Sequence, residues 1–115
     1  MYREFTVPDE LEIFEKTDAW PEMDESGAYV LTFQYSDTEH LFFSYDVPGR
    51  SVRLRWVAEN GETIADVFRE GATRLSVRHS PGETLIVTDF DMGECNGSLV
   101  LRTRPRVKVS DQLLF

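Results

Sequence analysis

The chain has a single cysteine, Cys95, in 115 residues. That excludes an intrachain disulfide and any cysteine-rich metal site built within one copy. It also has no apolar run approaching the ~20 residues a membrane span needs. Its opening MYREFTVPDE lacks the basic-then-apolar layout of a secretory leader. The expectation is a cytoplasmic protein with no membrane partner. Lysine is scarce, with two against ten arginines. Motifs that mark catalytic or nucleotide-handling chemistry are missing as well, since no GxSxG elbow, Walker loop, GxGxxG or HExxH occurs. No catalytic residue, metal or cofactor is assigned, and a non-enzymatic role is expected.

Two weaker signals lead to the same reading. Asp89-Phe90-Asp91-Met92-Gly93-Glu94 looks like the start of a calcium loop, but the later ligands that complete six to eight oxygen positions do not follow. His40 and His79 lie far apart, each at a strand end, and no partner residue marks Cys95 as a nucleophile.

What is present is enough for a fold. Apolar residues make up 41% and aromatic residues 12%, a composition that supports a single domain over 1–115 with one core. TVPDELEIFEKT predicts a short N-terminal helix. Asp9 and Glu10 favour its positive end, and Leu11 with Phe14 offers an apolar pair three apart. Such a helix is stable only when docked. After it comes a polar loop in which Trp20, before Pro21, is expected to anchor on the core.

From Ala28 the apolar period becomes two. Tyr29, Leu31, Phe33 and Tyr35, then Leu41, Phe43 and Tyr45, then Val52, Leu54 and Trp56 mark inward faces of successive strands. Turn chemistry proposes the pairing. A two-residue loop at Asn60-Gly61 sets Trp56 opposite Ala65, Leu54 opposite Val67, Arg55 opposite Asp66, Arg53 opposite Phe68 and Glu59 opposite Glu62. A three-residue loop at Glu70-Gly71-Ala72 turns Leu75 and Val77 inward. Pro81-Gly82 sets Ile86 beside Val77 and Asp89 beside Arg74. Asn96-Gly97 is read as the last hairpin, aligning Met92 with Leu101, Phe90 with Thr103, Ile86 with Val107, Asp91 with Arg102 and Asp89 with Arg104. The outcome is a mainly β (β-rich α+β) domain, an antiparallel meander of about seven strands curved towards a half-barrel, with SDQLLF as a docked tail or part of an interface.

Charge divides the chain. Residues 1–48 carry 12 acidic and 2 basic side chains, whereas residues 49–115 carry 9 acidic and 10 basic, within a total of -9. Two surfaces follow. The acidic one, Asp9, Glu10, Glu12, Glu15, Trp20, Asp24 and Glu25, suits a protein partner of basic character, as in a bacterial immunity or antitoxin-like inhibitor. The other is an arginine-rich outer sheet face of Arg53, Arg55, Phe68, Arg74, Arg104 and Arg106, which suits an anionic ligand or single-stranded nucleic acid. The acidic total opposes attraction of nucleic acid, and the acidic half is also available to cover the basic face. An edge strand or the apolar tail offers a route to a homodimer.

Overall fold

Alternation of apolar and polar residues commits most of the chain to strands. The computed structural model describes residues 4–114 apart from positions 92 and 94. Helix α1 (Glu10–Thr17) precedes β1 (Glu22–Met23), β2 (Tyr29–Gln34), β3 (His40–Asp46), β4 (Ser51–Val57) and β5 (Thr63–Glu70). Then come β6 (Ala72–Ser80), β7 (Glu83–Asp91), β8 (Asn96–Arg104) and β9 (Lys108–Leu114). Strands β1 to β5 form one antiparallel sheet in sequence order, and β6 to β9 form a second. No described helix is long and apolar enough to cross a membrane.

The mainly β meander with one short helix is therefore correct, with nine strands among the described residues where about seven were expected. The two added are Glu22–Met23 and the C-terminal Lys108–Leu114, part of which had been read as a tail; Phe115 lies outside the described residues. The ribbon does not curve into a half-barrel. It is cut in two after Glu70, and the halves share one core through Leu31, Phe33, Leu41, Phe43 and Leu54 on one side and Leu75, Val77, Ile86, Leu99 and Leu101 on the other.

The cut falls at Gly71, where a hairpin between β5 and β6 was expected. Gly71 has φ +85°, a left-handed conformation that an L side chain resists. Its carbonyl accepts from Asp91 N at 3.2 Å, while Ala72 N donates to Arg50 O at 2.9 Å. One peptide thus bonds to both sheets, and the chain steps across instead of folding back. Parity survives the step, because Leu75 and Val77 are buried as expected.

Register in the first sheet is as anticipated at Arg53↔Phe68, Leu54↔Val67, Arg55↔Asp66 and Trp56↔Ala65. The turn that produces it differs. Gly61 N donates to Ala58 O at 2.9 Å and Ala58 N to Glu62 O at 2.8 Å, so the loop spans Glu59, Asn60 and Gly61. Ala58, not Glu59, faces Glu62. An irregularity beside Trp56 and Val57 then restores the register, since a bulge adds the residue that the longer loop would otherwise displace.

In the second sheet Val77↔Ile86 and Arg74↔Asp89 pair as expected. The Asn96-Gly97 turn does not form. Asn96 and Gly97 lie within β8, opposite Asp91 and Phe90, and Ile86 faces Leu101. Reversal comes earlier, at Gly93 (φ +84°), whose N–H donates to Asp91 Oδ1 at 2.9 Å. The pairs Asp89–Arg104, Asp91–Arg102, Phe90–Thr103 and Ile86–Val107 are therefore replaced, and the Met92–Leu101 pair lies outside the described residues. The slip is even, so every inward residue stays inward.

Thr88 sits on the inner face, 1% exposed, and its hydroxyl has no hydrogen-bond partner among the described residues. Leaving a buried hydroxyl unpaired is unfavourable. Thr88→Val, nearly the same shape, is expected to stabilise the fold by about 1 kcal/mol and raise the melting temperature by roughly 4 °C, as read by thermal denaturation.

Candidate functional site

Helix α1 has eight residues, too few to persist without tertiary contact. Its ends are closed locally. Asp9 caps the start by accepting from Glu12 N at 2.8 Å. Asp18, at φ 63°, closes the end by donating its N–H to Phe14 O at 2.8 Å. Entry is fixed by the preceding segment, since Thr6 N donates to Thr73 O at 3.0 Å and Thr6 O accepts from Leu75 N at 2.8 Å. This lays Thr6 along the β6 edge and sets which face of the helix meets the core.

That face is Ile13 and Thr17, at 0% and 1% exposure. The Thr17 hydroxyl donates to Ile13 O at 2.7 Å and accepts from Ala19 N at 3.1 Å. Lys16 crosses to Val77 O at 3.4 Å. The helix packs on the edge of the second sheet, closing one side of the sandwich.

With Ile13 inward, the pair Leu11 and Phe14 points outward. Leu11 is 57% exposed, Phe14 41%, Trp20 48% and Met23 61%. Trp20 does not anchor on the core as expected. Its ring meets Phe14 edge-on with centroids 5.6 Å apart, and it is the neighbouring Pro21 that is buried. Eight carboxylates and one ammonium lie between positions 9 and 25, so this apolar strip is set in an acidic surround.

The acidic candidates do different work within it. Asp9 is the cap. Glu12 pairs with Lys16 at 3.2 Å. Asp24 holds a turn, accepting from Ser26 Oγ at 2.6 Å, Ser26 N at 2.9 Å and Ala28 N at 3.1 Å. The Ser26 hydroxyl leads in holding the Asp24 carboxyl below its ordinary range. Among the described residues Glu10, Glu15 and Glu25 have no ion-pair partner, which leaves their charge uncommitted. Leu11, Phe14 and Met23 were not foreseen as surface groups. In sequence they are interleaved with carboxylates, and nothing local distinguishes their face of the helix from that of Ile13.

The arginine set is dispersed. Arg53, Arg55 and Phe68 share the outer face of the first sheet, Arg74 belongs to the second sheet, and Arg104 and Arg106 lie at the end of β8 and just beyond it. Arg53 is engaged, donating from Nε and Nη2 to the two Asp66 carboxylate oxygens at 2.9 and 2.8 Å. That fork holds the Asp66 carboxyl below its ordinary range and raises the Arg53 guanidinium further. The ion pair thus runs diagonally, although Arg55 is the residue directly opposite Asp66. Arg104 meets Asp18 at 3.1 Å. The acidic helix lies against β6 and makes this one ion pair to the arginine set among the described residues.

Two tyrosines bind the helix side of the core. Tyr45 stacks on Tyr29 at 5.5 Å, and Tyr35 donates its hydroxyl to Thr103 O. Burial pushes both phenols up to about 12. An unfolded tyrosine ionises near pH 10, so these two phenols stabilise the fold fully below that pH. Their contribution is lost as pH rises through 10 to 12. The urea midpoint is expected to fall across this window, and Tyr45→Phe should flatten the fall.

No protein-family model matches the sequence, and no curated protein does so either. Among solved structures, a chain of the contact-dependent growth inhibition toxin–immunity protein complex from Klebsiella pneumoniae 342 has a similar fold. The TM-score is 0.81 at 17% identity, over 99% of this chain and 100% of that one.

Proposed function

We propose that this protein is a non-enzymatic inhibitor of the immunity type, which binds a basic protein toxin in the cytoplasm of a bacterium. The observation that carries the reading is the outward strip formed by Leu11 and Phe14 on an acidic helix and by Trp20 just after it. Exposed aromatic side chains among uncommitted carboxylates combine desolvation energy with long-range attraction for a cationic surface. A toxin acting on nucleic acid carries such a surface, because it must meet phosphates. Likeness in fold to a chain of a toxin–immunity complex supports a role within such a pair.

An anionic ligand or nucleic acid on the arginine face is the weaker reading. The candidate arginines are divided between two sheets, and Arg53 and Arg104 are already paired.

The test is co-production with a candidate basic toxin from the same genome. Cells are expected to survive the toxin only when this chain is present, and the purified pair should associate more slowly as salt rises from about 50 to 500 mM. Survival without this chain, or no complex at the lowest salt, overturns the proposal.

A further inference from the structure

A cavity of about 510 Å³ opens at the end of the sandwich beside the C-terminus of α1. Its walls come from the end of β2, the β6–β7 turn and the end of β8. Phe33, Thr84 and Thr103 are buried in its depth, while Asp18, Gln34 and Arg104 stand at its exposed rim. The volume holds a long side chain with several waters, at about 30 Å³ per water.

The polar groups there are unevenly satisfied. Thr103 is 0% exposed, and its hydroxyl has no hydrogen-bond partner among the described residues. Thr84 is occupied, with Oγ1 3.1 Å from His79 Nδ1. Among the described lining residues the guanidinium of Arg104 is paired with Asp18 at 3.1 Å. Half-buried Glu83 has no ion-pair partner among the described residues. What remains open is a carboxylate, a hydroxyl and an amide oxygen, all able to accept. The Glu83 carboxylate calls for a positive charge with N–H donors, and the Thr103 hydroxyl and Gln34 amide, which can accept as well as donate, can take further donors from the same group.

A guanidinium fits that demand. It is planar, carries five N–H donors and is less strongly hydrated than an ammonium, so it enters a half-buried site beside an aromatic ring at lower cost. We infer that this cavity receives an arginine side chain of the inhibited protein, with Glu83 and Thr103 as its recognition groups. The inference rests on the inhibitor reading for the source of the arginine, and on the cavity alone for its chemistry.

The chemistry is tested without the partner, by following backbone amide resonances of the whole chain during titration with N-acetyl-arginine amide. Saturable shifts are expected at Gln34, Thr84, Thr103 and Arg104, with a dissociation constant of about 1–10 mM. Glu83→Gln should weaken binding roughly tenfold. Thr103→Val should also weaken it while leaving the fold intact, since the hydroxyl makes no internal bond. Phe14→Ala with Trp20→Ala should leave this titration unchanged. Absence of saturable shifts, or equal shifts with neutral N-acetyl-citrulline amide or with inorganic phosphate, overturns the inference. In that event the inhibitor reading stands on its own test. Conversely, saturation by arginine amide together with failure of the toxin complex removes the inhibitor reading and leaves a guanidinium site.

Discussion

Phe14→Ala combined with Trp20→Ala is expected to lower affinity for the proposed toxin partner about 10³-fold, as central aromatic anchors contribute roughly 2 kcal/mol or more each. Stability of the free protein should change by less than about 1 kcal/mol, because both rings are already substantially exposed. Binding and folding are thereby separated. Phe68 provides the control, since it is 52% exposed but lies on β5 of the first sheet rather than on the acidic helix. Phe68→Ala should leave affinity within about twofold, in line with the small effect of most surface truncations. If it weakens binding more than Trp20→Ala does, the docking surface is the outer face of the first sheet. Glu15→Lys complements the pair by acting on rate. Association should slow and lose part of its salt dependence while dissociation changes little.

Ile13→Ala is expected to cost about 2–5 kcal/mol, the range for a fully buried isoleucine truncated in a packed core. The site explains why the loss is not confined to the helix. Ile13 belongs to the cluster that joins both sheets, and through Thr17 and Ala19 it sets where the chain leaves α1. Urea denaturation should show a lower midpoint. The toxin complex should weaken too, because Phe14 and Trp20 lose the support that orients them. Ile13→Val restores most of the volume and should lose only about 1 kcal/mol. A stability unchanged by Ile13→Ala would mean that the helix is not docked as described.

Strand content, inward residues and much of the pairing were legible because parity is a local property. A period-two pattern places Leu41, Phe43, Leu54, Leu75 and Val77 inward whatever the strands later join. Turn chemistry was less reliable. Asn96-Gly97 has the composition of a tight hairpin, yet Gly93 supplies the reversal and Asn96-Gly97 becomes strand. Two nearby glycines each offered a left-handed residue, and the sequence window held no term to rank them. The split at Gly71 was illegible for a different reason. It depends on hydrogen bonds to Arg50 and Asp91, both some twenty residues away in sequence.

The candidate surface was half legible. Its charge can be counted directly, and Glu10, Glu15 and Glu25 have no ion-pair partner among the described residues. Its apolar part was less so: Leu11 and Phe14 were the pair expected to dock the helix, and Trp20, grouped with the acidic surface, was also expected to anchor on the core. An eight-residue helix has two short apolar faces, Leu11 with Phe14 and Ile13 with Thr17. The choice between them is made by the pairing of Thr6 with the β6 edge, a contact about seventy residues distant.

Because the chain crosses between sheets once, each sheet is built from one continuous stretch of sequence, 22–70 and 72–114. During synthesis, at about 5–20 residues per second, the first sheet can pair while the second has yet to leave the ribosome. Helix α1 is made before either, yet its seat is the edge of β6, and Ile13 is covered only when the later strands arrive. The segment that emerges first thus waits for a seat that is synthesised about sixty residues later. A chain interrupted anywhere before β6 carries every carboxylate of α1 but lacks the edge on which that helix is seated, so under the proposed function it is expected to give no protection.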